Sequence, residues 1–441
     1  MNRRIGIRKE TKSARECRTP ITPYFAEKLM RQNDLYFVIQ RSDKRVFMDV
    51  EYEHCGVELA DNLHNCDVIF GIKEIPTHEI EPDKTYIIFS HTHKEQPYNM
   101  PMLRTFIERR CTLIDYECIR DERGHRLVAF GYYAGLAGMI NTLWALGERY
   151  KRQGIATPFT QLQQAFRYKS LIAARRELRA IGEAIALRGI PEEIAPLTVG
   201  IVGRGRVSKG AQEIMNLFPI QDISPVDLLK IEKSGNFSNK IIYRVLFAES
   251  DIAAPSLPGR PFVLKEYYKA GQTYRNIFER YVEYLSVVVN GIFWHEKMPR
   301  LITSDYLEQL FRSIPHPKLT VVGDITCDPC GSIEFTHRAT DVEHPIFIYN
   351  PLTRLPVIGF DGEGIAVMAV DILPSELPRD ASNSFSELLE EFVVPIAIAD
   401  YTKPYEELAL PYPIKKAVIV LSGKLTPKYA YLEKACNPLI Y

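Results

Sequence analysis

The sequence predicts an α/β protein built mainly on parallel sheets, and two observations carry that expectation. Over residues 4–130, short apolar runs alternate with segments of helical spacing, the wiring that lays parallel strands side by side with helices between them. Further on, a buried run, Leu197–Val202, meets a glycine-rich turn and then an amphipathic helix. The 441 residues exceed one domain at roughly 150 residues each, and a hydrophobic content of 46% supplies more than one core.

In chain order, the expected strands of the first part are Arg4–Arg8, Tyr36–Ile39, Val68–Gly71, Tyr86–Phe89, Thr112–Asp115 and Val128–Phe130. Pieces such as PYFAEKLMRQN between them have helical spacing. A long helix is expected from about Tyr132 to Arg152, and a second over SLIAARRELRAIGEAIALRG. Residues 127–147 carry no charge and are long enough to suggest a membrane span. Within them LVAF has strand character, and three early glycines are joined by Asn141 and Thr142, so a strand feeding a buried helix is the expectation.

After the glycine turn, residues 231–275 look polar and irregular, with a helix expected around Tyr274–Tyr284. Two apolar runs, YLSVVVNGIFW and KLTVVGDI, are expected to complete the second sheet. GIAVMAVDILPSELPRDASNSF then predicts strand, turn and helix start, the helix running to about Ile398, and KKAVIVLSG a last strand.

Lys+Arg and Asp+Glu both number 55, so net charge gives no argument for nucleic acid or an anionic membrane as partner. The 8 cysteines show no disulfide spacing, which points to a reducing compartment. The close pair Cys327-Asp-Pro-Cys330 lacks the second pair a zinc site would need, so two unpaired loop thiols and no metal are expected. The first residues, MNRRIGIRKETK, enter a strand with no apolar signal core, and a soluble cytoplasmic protein is the expectation.

In the turn Gly203-Arg204-Gly205-Arg206-Val207-Ser208, Gly203 permits the tight bend. Gly205 lets backbone amides approach a pyrophosphate at the positive helix terminus. Ser208 stands at the third small position, where Gly or Ala is usual. Asn290, Gly291 and Asp324 fall at strand carboxyl ends, where open α/β sheets hold ligands. A glycine turn that only packs helix on sheet is the plainer alternative.

Beyond these patterns, the chain resembles the lysine–2-oxoglutarate reductase half of bifunctional α-aminoadipic semialdehyde synthase. More distantly it is similar to fungal lysine-forming saccharopine dehydrogenase and to alanine dehydrogenase. The resemblance rests on Arg18-Thr-Pro-Ile, GIKEIP, FSHTHKEQ, LIDYECIRDERGHRLVAFGYYAGLAGMIN, GRGRVSKGAQ, VNGIFW, GDITCDPCGSIEF, EHPIFIYN and DILPSELPRDAS, in order and nearly end to end. It implies two Rossmann-like doubly wound domains flanking a cleft, alanine dehydrogenase-like. Residues 1–131 with 380–441 would form a discontinuous substrate domain, and 132–379 the nucleotide domain with the interdomain helix. The saccharopine-cleaving half has no counterpart in this sequence, so a separate dehydrogenase is expected to carry that step.

The implied reaction joins the ε-amine of L-lysine to the ketone of 2-oxoglutarate through a carbinolamine and an imine, which a hydride from NADPH reduces to saccharopine. Each step moves a proton, so groups with tuned pKa values are required. A free lysine titrates at about 10.4 and must be lowered to act as a base, whereas histidine starts near working pH. The family's catalytic lysine and histidine fall on Lys73 and His91, with Glu74 holding Lys73. By the same resemblance Arg18, Lys94 and Arg126 receive substrate carboxylates, Glu16 and Glu117 receive ammonium groups, and His93 has no matched role. Related opine-type or alanine dehydrogenase-like chemistry, and a non-catalytic nucleotide-binding scaffold, are the alternatives.

Two departures from the relatives stand out. CDPC occupies a loop expected to border the nicotinamide, and Ser224-Pro225 stands where a strand-end acid would bind the ribose 2′-hydroxyl. Loss of that acid beside Arg204 and Arg206 favours NADPH, with NADH possible because Asp222 and Asp227 lie close by.

Overall fold

Apolar runs bounded by polar or glycine turns become the strands of two sheets. The computed structural model describes residues 3–436 and separates into two compact units. One comprises the chain up to Phe130 together with the part from Pro378 onward; the other is Gly131–Leu377.

The first unit begins with strands β1 (Arg3–Ile7), β2 (Leu35–Gln40), β3 (Glu58–Ala60), β4 (Val68–Phe70), β5 (Thr85–Ile88) and β6 (Thr112–Asp115). Helices α1 (Pro23–Gln32), α2 (Asp49–His54) and α3 (Met100–Glu108) connect them. All six strands are parallel, in the order β3-β2-β1-β4-β5-β6. The chain winds outward from β1 to β3, returns to β4 and winds the other way, so the strand order switches between β1 and β4. That is where an open α/β sheet leaves a crevice at its carboxyl edge. β4 and β5 are buried at every position, as strands covered on both faces must be.

The expected strand Val128–Phe130 does not form. Arg126 makes a single antiparallel bridge to Arg120, after which Val128 and Phe130 are buried as packing residues in irregular chain.

In the second unit, α4 (Gly131–Arg152) and α5 (Leu171–Arg188) precede β7 (Leu197–Val202), and α6 (Arg206–Met215) follows it. Then come β8 (Ile220–Asp222), β9 (Ile242–Phe247), β10 (Ala253–Pro255), β11 (Tyr274–Asn276), β12 (Val287–Asn290), β13 (Val321–Asp324), β14 (Ile346–Asn350), β15 (Leu355–Ile358) and β16 (Ile365–Met368). The main sheet has the order β15-β14-β16-β13-β12-β7-β9-β8, parallel from β8 to β16 and closed by antiparallel β14 and β15. β10 and β11 form a separate antiparallel ribbon.

Two sequence expectations are corrected here. Residues 231–275 are not irregular throughout, because they contain β9, which inserts between β7 and β8. Its central Arg244 masks the strand in sequence, yet is buried because it pairs with Asp222 at 2.7 and 2.9 Å. The helix expected around Tyr274–Tyr284 is instead β11 followed by one helical turn, Glu279–Val282.

The uncharged stretch ends up inside the protein. Most of α4 is buried, and among the described residues no helix is long and apolar enough to cross a membrane. α4 meets α6 at backbone contact. A Cβ on Gly135 would lie 2.0 Å from the Val207 carbonyl oxygen, and one on Gly210 would lie 2.1 Å from that of Tyr132. The close approach therefore depends on Gly210, while Ser208 is a buried residue whose hydroxyl accepts from Gln212 at 2.9 Å.

The chain then returns to the first unit. The helix Pro378–Ile398 is pinned to the N-terminal segment: Ser382 and Ser386 hydroxyls accept the Thr19 and Thr22 amides at 3.0 and 3.1 Å, and Phe385 stacks on Phe130 at 4.3 Å. β17 (Val418–Leu421) pairs antiparallel with β6, and β18 (Lys424–Leu425) closes that edge.

Gly210→Ala is expected to destabilise the second unit by about 2–3 kcal/mol through overpacking. Urea unfolding followed by tryptophan fluorescence checks this, since both tryptophans, Trp144 and Trp294, lie in that unit.

Candidate active site

Parallel strands deliver their following residues to one edge, and in the first unit that edge gathers the reactive side chains. Glu10 follows β1, Lys73 follows β4, His91 follows β5 and Glu117 follows β6. The ladder continues past the strands, since the Phe89 amide donates to the Ile72 carbonyl at 2.9 Å, so Lys73 and His91 leave the sheet side by side.

Glu10, which the sequence did not single out, organises the switch point. Its two carboxylate oxygens accept the amides of Ile72 and Lys73 at 2.7 and 3.0 Å, fixing the backbone that carries Lys73. Burial pushes the Glu10 carboxyl above its ordinary range despite Arg8 at 3.6 Å. The only signal available was an acid a few residues past a strand end.

Lys73 is half-buried, and its ammonium sits close enough to Glu16 to act on that group's titration. Burial would raise Glu16, but the Arg18 guanidinium, helped by Lys73, holds it below the usual carboxylate range. Arg18 forks onto Glu16 at 2.7 and 2.5 Å and lies 4.2 Å from the Phe130 ring centre. Glu16 and Arg18, expected to meet opposite ends of the substrate, are thus a buried pair. Glu74 is corrected as well: it pairs with Lys12 at 2.7 Å rather than bracing Lys73.

The turn carrying His91 is strained. His91 (φ 54°) and Glu95 (φ 56°) are both left-handed and flank the short Thr92–Lys94 turn. Each such non-glycine residue costs about 1–2 kcal/mol. Asp115 offsets this cost: one oxygen accepts the Ser90 and His91 amides at 3.0 Å and the Ser90 hydroxyl at 2.5 Å. Its other oxygen accepts the Glu117 amide at 2.8 Å, so one carboxylate fixes the loops after both β5 and β6.

Glu117 is 1% exposed and surrounded by cations. Its oxygens meet His91 Nδ1 at 3.0 Å and Lys94 Nζ at 3.0 Å, Arg126 bonds it closely, and His93 Nε2 lies at 3.9 Å. Burial would raise it, but the His91 hydrogen bond, Arg126 and Lys94 hold it well below the carboxylate range. Lys94, Arg126 and Glu117, expected as separate substrate contacts, form one cluster. Glu117 fixes the orientation of the His91 ring through Nδ1.

His93 belongs to the same cluster. Its ring faces Asp115 at 3.8 Å, and ligating atoms of His93, Asp115 and Cys118 lie within 4.8 Å of one another, a set that could accept a metal ion. Burial would lower the imidazole, but Asp115 and the Cys118 sulfur outweigh it and push His93 up to about 9.

The second unit supplies the nucleotide-type elements. Gly203, at φ 101°, turns the chain out of β7, and a Cβ on Gly205, which caps α6, would meet only open space. Arg204 is exposed, Arg206 opens α6, and Val207 packs against Gly291, whose Cβ would lie 3.0 Å from it. Asn290 and Asp324 end β12 and β13 in register. Buried Asn290 donates to Asp324, Thr326 and Ser332 at 2.8–2.9 Å, while its carbonyl oxygen has no protein partner and remains an acceptor for a bound group. Burial raises the Asp324 carboxyl, which accepts from Thr336 and Thr326 at 2.7 Å. An open helix terminus with an orphaned buried acceptor nearby in the sheet fits a dinucleotide.

Ser224 is displaced from its expected place. It follows edge strand β8, with β9 between it and β7, and caps the short helix Pro225–Leu228 while bonding Asp227 at 2.6 Å. Cys327 and Cys330 both sit at φ 49° in their loop.

Two parallel-dominated sheets, one with a glycine turn at the start of its first helix, define a Rossmann-like fold of the dehydrogenase type. Residues 6–137 match the family described as Alanine dehydrogenase/PNT, N-terminal domain. Over 98% of its length the chain is 38% identical to α-aminoadipic semialdehyde synthase of Arabidopsis thaliana, covering 41% of that protein. It is 27% identical to saccharopine dehydrogenase [NAD(+), L-lysine-forming] of Schizosaccharomyces pombe, over 87% of this chain and 90% of that one. A solved L-alanine dehydrogenase superposes with a TM-score of 0.62 at 16% identity, covering 98% of this chain and all of that one. Nearly the whole chain is thus similar to α-aminoadipic semialdehyde synthase, and most of it to saccharopine dehydrogenase. It spans less than half the length of the α-aminoadipic semialdehyde synthase it matches.

A group whose pKa is raised on folding stabilises fully below its unfolded value, about 6.5 for histidine, and loses that contribution as pH rises through the folded value. For His93 the loss falls between that pH and about 9. Its size is on the order of 2–3 kcal/mol. Denaturant unfolding at pH 6 and 9.5 is expected to show this loss in the native sequence and a smaller one in His93→Asn.

Proposed function

We propose that the protein condenses L-lysine with 2-oxoglutarate and reduces the product to saccharopine with a reduced nicotinamide dinucleotide. The observation that carries this is the pairing of Lys73 and His91 at adjacent strand exits, with His91 held through Nδ1 by Glu117, whose carboxyl lies well below the usual range. The identity to α-aminoadipic semialdehyde synthase over nearly the whole chain and the saccharopine dehydrogenase relative support the choice of substrates.

The ε-amine of lysine adds to the ketone carbon of 2-oxoglutarate, forming a C–N bond and a carbinolamine. His91 Nε2 gives a proton to the departing hydroxyl, which leaves as water, and Glu117 stabilises the imidazolium whenever the ring is doubly protonated. Lys73 takes the proton lost from nitrogen as the imine forms and returns one to the amine after reduction. The Gly203–Val207 turn would hold the dinucleotide, which when bound would supply the hydride that reduces the imine. Overall, one lysine, one 2-oxoglutarate, one hydride and one proton give saccharopine and water.

Substrate carboxylates meet Arg18, Lys94 and Arg126, whose charges Glu16 and Glu117 share, so docking exchanges one partner for another instead of exposing bare cations. That arrangement keeps the cations ordered before substrate arrives.

Purified protein is expected to consume the reduced cofactor only when lysine and 2-oxoglutarate are both present, with saccharopine as product by mass spectrometry. Lys73→Met and His91→Gln are each expected to lower turnover by at least about a hundredfold. Cofactor affinity should stay within a few-fold of the native value, and unchanged turnover in either variant would remove its residue from the mechanism.

A further inference from the structure

Zinc and related ions are held by sulfur and nitrogen donors, often with a carboxylate completing the set. The loops after β5 and β6 bring such donors together. His93 lies in the turn Thr92–Lys94 after β5, Asp115 ends β6, and Cys118 ends the turn Tyr116–Cys118 that follows it. Their ligating atoms all lie within 4.8 Å of one another, and no other such group of three occurs among the described residues.

Each of the three side chains has a requirement its protein neighbours leave unmet. Asp115 is fully buried, yet the groups that donate to it are the Ser90, His91 and Glu117 amides and the Ser90 hydroxyl, all of them neutral. Glu117, by contrast, has a lysine and an arginine for its charge. His93 Nδ1 is closed to solvent and faces Asp115 at 3.8 Å, too far for a hydrogen bond. Cys118 is buried and is not in a disulfide. Coordination releases the thiol proton, so a divalent ion with a thiolate, a carboxylate and a neutral imidazole forms a buried set of zero net charge.

The geometry is close to what such an ion needs. Donors around a tetrahedral zinc stand about 3.3–3.8 Å apart, so closing this set takes side-chain adjustments of at most about 1 Å. The His93 side chain is 19% exposed, which gives an ion a way in from solvent and leaves a fourth position for water. The Tyr431 hydroxyl donates to the His93 carbonyl at 2.8 Å and holds that residue from the C-terminal side. Sulfur and nitrogen donors select the zinc class over magnesium and calcium, which take oxygen.

We propose that Cys118, His93 and Asp115 bind one divalent ion of the zinc class, bridging the loops that carry His91 and Glu117. The proposal does not rest on the reaction assigned above, and its test uses no turnover. The full chain, stripped with a chelator, is titrated with cobalt(II), whose bonds to thiolate show as a charge-transfer band in the near ultraviolet. Four-coordinate cobalt adds strong visible bands.

The native protein is expected to take up one cobalt per chain with both signatures, and zinc is expected to displace it while magnesium does not. Cys118→Ser is expected to lose the charge-transfer band. The Cys327→Ser/Cys330→Ser double variant, which removes the close thiol pair, is expected to keep it. His93→Asn is expected to lose the four-coordinate bands and decides the matter if Cys118→Ser does not fold by circular dichroism. A native protein without the thiolate band overturns the proposal. So does a band that survives in Cys118→Ser, one that vanishes with Cys327 and Cys330, four-coordinate bands that persist in His93→Asn, or displacement by magnesium. Cobalt binding with these signatures in a protein that forms no saccharopine supports the site and removes only the assigned reaction.

Discussion

Burying a carboxylate costs several kcal/mol unless cations and hydrogen-bond donors surround it. Glu117 meets that requirement with a lysine, an arginine and a histidine drawn from the loops after β5 and β6, and much of the site follows from it. The loop after β5 that brings His91 and Lys94 to this carboxylate contains two left-handed residues, whose cost the Asp115 hydrogen bonds offset. Asp115, the last residue of β6, ties the same two loops through the backbone. The two acids divide the work: Asp115 sets where the loops run, and Glu117 sets which way the rings face.

The switch point between β1 and β4 repeats this logic with less charge. Glu10 spends both oxygens on backbone amides, so it positions Lys73 through the peptide chain and leaves the ammonium free of a direct hydrogen bond to it. Glu16 then tempers the ammonium from a distance while remaining forked to Arg18. Lys73 thus has its backbone fixed by one acid and its charge near another.

Much of this architecture was legible in the chain, and the failures have specific causes. Strands buried on both faces, such as Thr112–Asp115 and Leu197–Val202, announce themselves as apolar runs between turn residues, and their bounds coincide with expectation. β9 escaped because Arg244 interrupts its apolar run, and only the partner Asp222 on β8 makes that arginine tolerable in a sheet. Val128–Phe130 has strand composition, but composition cannot tell that β17, arriving from nearly three hundred residues later, takes the edge beside β6. At the site, the resemblance pointed to Lys73 and His91, whereas the partnerships did not follow. Whether Glu117 answers a substrate ammonium or a histidine depends on loops meeting in space, and Glu10 carries no mark in sequence of the amides it receives.

The position of β17 also bears on synthesis. The second unit is one continuous stretch and has all its strands once the ribosome has passed Leu377. The first sheet must wait longer, holding the edge of β6 unpaired until Val418–Leu421 emerges. An unpaired buried edge invites pairing with other chains. During translation the sheet begun before the second unit is therefore completed after it, and its open edge can pair wrongly while Gly131–Leu377 is already folded.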